Sequence, residues 1–403
     1  GLDVYVLPKP GFQKTYATFT TKYGSIDNHF IPPNGAAVKV PDGIAHFLEH
    51  KMFEEEDGDI FHQFSKQGAS ANAYTTFDRT AYLFSSTDHV EENLTTLIDF
   101  VQRPYFTDQN VEKEKGIIEQ EIRMYQDDPD WRVFFGFLEA LYHQHPVKID
   151  IAGTVESIYK INKELLYTCY ETFYHPSNML LFVVGAVEPE AILDLVRQNQ
   201  QAKSFEPKGE IKRIFEKEPE TVVTSFQEIR LGVEIPKCLV GFKEHKLGLE
   251  GEAMLKQELA TVLLLDMAVG PSSNFYQELM DAGLIDDSFG VDYNLEKDYG
   301  FSVMGGNTRE PEKLAELIRE HLANIAQHLN QDDFERSRKK RIGSFLRSFN
   351  SPEFIANQFT RYQFNRMNLF DVIPMLEQIT FHELVERAKE HFNLDRFAVC
   401  LVR

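Results

Sequence analysis

Two like α+β domains, each a mixed, mainly antiparallel sheet flanked by helices, are what this sequence predicts. Three observations carry that reading. The 403 residues exceed what one simple core organises and suit two domains. A polar stretch with two prolines, QQAKSFEPKGEIKRIFEKEPE, interrupts the apolar pattern near the middle of the chain. The order of strand-like and helix-like segments before that stretch then returns after it. The expected division is a first domain at 1–199, a linker at 200–222 and a second domain at 223–403.

In the first half, LDVYVLPK and TYATFTTKYGS have the β-branched and alternating character of strands. DGIAHFLEHKMF follows with helical spacing, Asp42 placed to cap it and Gly43 to open it. ASANAYTTF and RTAYLFSST form a strand pair, and VEENLTTLIDFVQR is a helix. A long helix is expected from about Asp108 to about Asp127, then a further one at RVFFGFLEALYH and a strand at NMLLFVVGAV. In the second half KCLVGFK stands where KTYATFTTK stood, ATVLLLDMAVG replaces AHFLEHKMFE, and DRFAVCLVR ends the chain as SNMLLFVVGAV ends the first half. FERSRKKRIGSFLRSFNSPEFIANQF likewise parallels VEKEKGIIEQEIRMYQDDPDWRVFF. A period of half the chain is a duplication, not a solenoid.

Composition narrows the function. Lys and Arg total 42 against 63 Asp and Glu, a net charge of −21, so no basic surplus exists to neutralise phosphates or to anchor on an anionic membrane. The longest apolar run, MLLFVVGAV, is half of what a membrane span needs. Cys169, Cys238 and Cys400 are widely spaced and read as small buried hydrophobes in a reducing compartment. The opening GLDVYVLPKPG alternates like a strand rather than a secretory leader, and a cytoplasmic protein is expected. HQH at His143–His145 reads as a surface helix end, and RSRKKR from Arg336 as a solvated or ion-paired helix face.

The sharpest chemical signal lies in DGIAHFLEHKMF, where His46, Glu49 and His50 form an HxxEH pentad. On a helix His46 and His50 are i and i+4, so both imidazoles leave one face at ligand distance. Glu49 shares that face, near a metal without being in line to bind it. Two histidines and a nearby carboxylate suit a hydrolytic zinc, which needs ligands and a base. The competing reading is a pair of helix histidines in ordinary hydrogen bonds. A third protein ligand should be an acid from a distant segment, and VEKEKGIIEQEIRMY offers Glu112, Glu114, Glu119 and Glu121. Glu114 and Glu121 are seven apart, within about 20° on the helix surface. Ile117 and Ile118 lie between them, so this face is expected to be at least half buried, where carboxylates need a partner.

With those motifs in place, the sequence resembles the pitrilysin/insulinase family of zinc peptidases, which includes the mitochondrial processing peptidases. They carry the inverted HxxEH motif and, some seventy residues on, a pair of glutamates of which the second binds zinc. Seventy-one positions separate His50 from Glu121. The resemblance runs on through GASANAYTTFDRTAY, VEKEKGIIEQEI and FYHPSNMLLFVVG and covers nearly the whole chain. It implies one Zn2+ per chain held by His46, His50 and Glu121, with Glu49 as general base and Glu114 steering the ligands. It also implies that ASANAYTT is a sheet edge taking a peptide substrate as an added strand, with Asn72 and Ala73 facing the scissile region. For Asn72 the alternative is a strand-end residue that satisfies its own turn.

The resemblance further implies a dimer, formed with a non-catalytic paralogue or with a second copy. Active relatives usually carry an Arg and a Tyr where ELMDAGLIDDSF offers Met280 and Asp286. That departure points to a partner that supplies both. The expected activity is zinc-dependent endopeptidase action on peptides or short unfolded segments. The alternative is a non-catalytic or weakly active subunit of a heterodimeric peptidase that binds peptides.

Overall fold

The computed structural model describes residues 1–33, 35–56, 58–206 and 208–403. They form two compact units that are not continuous in sequence. The first comprises Gly1–Arg123, Ile149–Phe215 and Phe349–Arg361, and the second Met124–Lys148, Glu216–Ser348 and Tyr362–Arg403.

The first unit is built on a five-stranded sheet of β1 (Asp3–Pro8), β2 (Thr15–Thr21), β3 (Ala69–Thr75), β4 (Thr80–Ser86) and β5 (Met179–Gly185). Its order is β1-β5-β2-β4-β3, with β1 and β5 parallel and the other pairs antiparallel. β2 and β5 are buried along their whole length, which is why MLLFVVG reads as a continuous apolar run. β3 lies at the edge and is half exposed. Helices α1 (Ile44–Met52), α2 (Val90–Val101) and the long α3 (Asp108–Asp127) follow in chain order.

The second unit repeats this plan. β6 (Phe226–Ile229), β7 (Lys237–Lys243), β8 (Gly290–Leu295), β9 (Gly300–Asn307) and β10 (Phe397–Val402) assemble in the order β6-β10-β7-β9-β8. Again the first and last strands pair in parallel and the rest antiparallel. Two mixed, mainly antiparallel sheets of identical connectivity bear out the duplicated α+β reading.

Each half of the sequence contributes one segment to the other unit. Helix α4 (Pro129–Leu141) belongs to the second unit, where Phe137 meets Phe301 and a Cβ on Gly136 would lie 2.6 Å from Ile229 Cδ1. The start of the helix Pro352–Phe364 belongs to the first unit, where Phe359 packs on Tyr5 and Phe182 with ring centroids 4.8 and 4.7 Å apart. Asn357 accepts from the Tyr74 hydroxyl there at 2.9 Å. These two helices are the counterparts aligned in the sequence as PDWRVFF and SPEFIANQF.

Several local expectations change. Asp42 does not cap α1, because its carboxylate accepts from Asn28 Nδ2 at 2.8 Å. Gly43 takes the N-cap position instead, at φ +86°, where a Cβ would meet the Ala152 carbonyl oxygen at 2.3 Å. Lys163–Phe173 and Pro189–Gln201 are further helices that the apolar periods did not single out. Within 200–222, Lys212–Arg213 adds a short strand beside Phe30 and Ile31, tied by Arg213 Nε to the buried Asp27 at 2.6 Å.

Candidate metal centre

The centre lies wholly in the first unit, where α1 and α3 present one face each. Because His46 and His50 are one turn apart on α1, their rings stand side by side with centroids 4.5 Å apart. Glu121 comes from α3: its Oε1 is 3.7 Å from His46 Nε2 and its Oε2 is 3.5 Å from His50 Nε2. One donor atom from each of the three can be chosen so that all lie within 4.8 Å of one another. Zinc bonds of about 2.0–2.1 Å in tetrahedral array separate donors by roughly 3.3 Å. Two nitrogens and one carboxylate oxygen at this spacing therefore fit that ion. Among the described residues it is the one such cluster.

Glu114, two turns before Glu121, faces the other side of His50. Its Oε1 lies 3.0 Å from His50 Nδ1. That contact fixes the ring so that Nε2 turns towards Glu121. Burial would raise the Glu114 carboxyl, but the His50 contact and the Lys51 ammonium outweigh it and hold it below its ordinary value. At His46, by contrast, burial dominates, with the His50 charge adding to it, and brings the imidazole down to about 4. His46 is thus neutral near pH 7, the form in which an imidazole binds a metal. The Ile pair behaves asymmetrically: Ile118 is buried, while Ile117 is 46% exposed.

Glu49 is buried on α1 and receives a hydrogen bond from Thr75 Oγ1 at 2.7 Å. Burial raises its carboxyl above the ordinary value, against the lowering effect of Thr75. A cavity of about 520 Å3 brings Glu49, His50 and Glu114 together with Asn72, Ala73 and the stacked rings of Phe53 and Phe61. Asn72 and Ala73 sit on the edge strand β3, opposite Leu83 and Tyr82 of β4. Asn72 Oδ1 accepts from the Ala73 amide at 2.9 Å, so in this state it serves its own strand.

Two residues of the site went unread in the sequence. Thr75 resembles any β-branched strand residue until Glu49 is placed opposite it. Lys51 carried a usable signal, a charge inside the apolar run of α1, and it is fully buried. In the second unit Met280 lies on a helix, Asn274–Asp281, and Asp286 is exposed in a turn, accepting from the Ser288 amide at 2.9 Å. His145, expected at the surface, is buried: Glu218 accepts its backbone N–H, and its Nδ1 accepts from the Val147 amide. On the basic face from Arg336, Arg336 pairs with Asp333, Arg338 with Glu335 and Lys340 with Asp266. The three cysteines are buried and unbridged.

A helix-borne HxxEH set with a distant glutamate, on a duplicated α+β scaffold, defines the class of the inverted-motif zinc peptidases. Comparison with known proteins agrees. Residues 36–155 match the family described as Insulinase (Peptidase family M16), and residues 160–341 match the Peptidase M16 inactive domain. The chain is 58% identical over 403 residues to the uncharacterized zinc protease YmfH of Bacillus subtilis, spanning 100% of this chain and 94% of that one. It is 26% identical over 374 residues to a second B. subtilis protein, the uncharacterized zinc protease YmxG, spanning 90% and 88%. A crystal structure described as M16-like, from Alicyclobacillus acidocaldarius, superposes with a TM-score of 0.96 at 44% identity, covering 100% and 96% of the two chains. A protease from Helicobacter pylori shares the fold, with a TM-score of 0.86 at 18% identity and coverage of 100% and 97%. The chain belongs to the pitrilysin/insulinase, or M16, family of peptidases.

Proposed function

We propose that this chain is a zinc-dependent endopeptidase that hydrolyses peptides or short unfolded segments. The observation that carries the reading is the convergence of His46, His50 and Glu121 beside the buried carboxylate of Glu49. His46, His50 and Glu121 would hold one zinc ion, with Glu114 fixing the His50 ring. Zinc, when bound, supplies Lewis acidity and lowers the pKa of a water towards about 7. Glu49 takes the proton of the attacking water and returns it to the leaving amine. Its raised proton affinity suits both transfers, and Thr75 keeps one of its oxygens in place. The edge of β3 receives the peptide as an added strand, with Asn72 and Ala73 nearest the scissile bond. Main-chain bonds there give register with little demand on side chains.

A mixed peptide pool read by mass spectrometry tests the proposal. Glu49→Gln should keep its zinc and lose cleavage, whereas His46→Ala and Glu121→Ala should lose the metal in elemental analysis. Cleavage by Glu49→Gln at the parent rate would falsify the assignment of the base.

Met280 and Asp286 favour a second reading, a subunit weakly active alone that pairs with a non-catalytic paralogue. The same assay with and without such a paralogue decides between them, and strong activity of the isolated chain excludes the second. Under either reading the protein works as a dimer, with a paralogue or with itself, in the cytoplasm. Mass measurement in solution and cell fractionation address these points.

A further inference from the structure

The mechanism above does not use a buried charge that adjoins the centre. Lys51 follows His50 directly, and its side chain is 0% exposed. An ammonium withdrawn from water must be compensated by anions, or it destabilises the fold. Its Nζ lies against Glu54 and 3.4 Å from Glu114 Oε2. The other oxygen of the same carboxylate, Oε1, meets His50 Nδ1 at 3.0 Å. Beyond that ring, His50 Nε2 faces Glu121 at 3.5 Å. The side chains therefore form a continuous series, Glu54, Lys51, Glu114, His50, Glu121, running from the rim of the cavity to the three metal-binding candidates.

From this arrangement we infer that Lys51 is a positioning residue for the metal centre. It holds the Glu114 carboxylate by one oxygen, so that the other fixes His50 with Nε2 towards Glu121. A carboxylate gripped at one end only can rotate about its terminal bond, and the His50 ring would rotate with it. Gripped at both ends it cannot. The competing role for Lys51 is a staple, joining α1 to the Glu54 segment without reference to the centre. The two roles differ in one respect: positioning works through Glu114, and stapling does not.

The inference rests on the zinc reading above, and a double-mutant cycle keeps the two separable. Zinc affinity is measured by chelator competition on the full chain, for the parent, Lys51→Met, Glu114→Gln and the double variant, with thermal midpoints of the metal-free proteins alongside. Lys51→Met should weaken zinc binding about ten- to hundredfold, the range for partners of a metal ligand. In the Glu114→Gln background the same change should cost less than about threefold, since the group it acts through is already altered. Parent-like zinc affinity in Lys51→Met overturns the inference, as does an equal loss in both backgrounds. A parent chain that takes up no zinc overturns the metal centre itself, and the role of Lys51 with it. Should Lys51→Met not fold, Lys51→Gln is read in the same cycle by the same criteria.

Discussion

Thr75 closes β3, and its hydroxyl reaches Glu49 Oε2 at 2.7 Å, so the strand proposed to take the substrate also holds the proposed base. Hydrogen bonds to charged groups contribute about 1.5–3 kcal/mol. Thr75→Val, which keeps the shape and removes the donor, should therefore lower kcat for peptide cleavage about ten- to hundredfold. Zinc content should stay at the parent level, and Thr75→Ser should recover most of the rate. An unaltered kcat in Thr75→Val would remove this role. At this scale the sequence was legible wherever chemistry depends on local spacing. The shared face of His46, Glu49 and His50 follows from the helical repeat, whereas the choice of Glu114 and Glu121 rests on the family resemblance, since Glu112 and Glu119 are seven apart as well. Thr75 and Lys51 were not legible, because each takes its meaning from a carboxylate that only the fold brings opposite.

Among the elements, α1 depends on how it begins. Gly43 at φ +86° stands against the Ala152 carbonyl oxygen, and Gly153 at φ +77° stands in turn against the Asp42 carbonyl oxygen, where a Cβ would lie 2.4 Å away. Neither position has room for a side chain, and the left-handed backbone adds about 1–2 kcal/mol against any L residue. Gly43→Ala should lower the thermal midpoint by several degrees and weaken zinc binding, because both histidines ride on the helix that must shift. A midpoint and affinity equal to the parent's would show that the loop yields without moving α1. Strand and helix types read well from sequence here, and α3 has the bounds expected of it. What failed was the cap: Asp42 is a good capping residue by type, yet Asn28 takes its carboxylate from a distant turn.

For the whole molecule, acid sensitivity should come from buried histidines as well as from carboxylates. Glu244, just after β7, bonds the Tyr293 hydroxyl, the Arg387 guanidinium and His391, and His391 Nε2 in turn meets Ser302 Oγ at 2.8 Å. Burial, reinforced by the charges of Arg387 and Arg396 and opposed by Glu244, holds His391 down to about 4. Burial, with Lys243 adding to it and Glu218 opposing, does the same at His145. Between the unfolded value near 6.5 and about 4, the unfolded chain binds protons that the folded chain refuses. Stability is thus fully present above about pH 6.5 and falls as the pH drops through that window, by on the order of 3 kcal/mol for each histidine. Thermal unfolding between pH 7 and 5 should show the decline, and His391→Gln should make it shallower by up to one proton; an unchanged slope counts against this account. The repeated sheet order was legible because strand patterns recur. The exchange of residues 124–148 and 349–361 was not, since an apolar helix face does not declare which of two like sheets will cover it. That exchange sets a timetable during synthesis. The five strands of the first unit are complete at Gly185, but the helix that covers Tyr5 and Phe182 ends its contribution at Arg361. At about 5–20 residues per second, the ribosome needs roughly ten to thirty seconds to span that interval. Throughout it the nascent first half carries an apolar patch awaiting its cover, so the proposed active unit is finished only when nearly the entire chain has been translated.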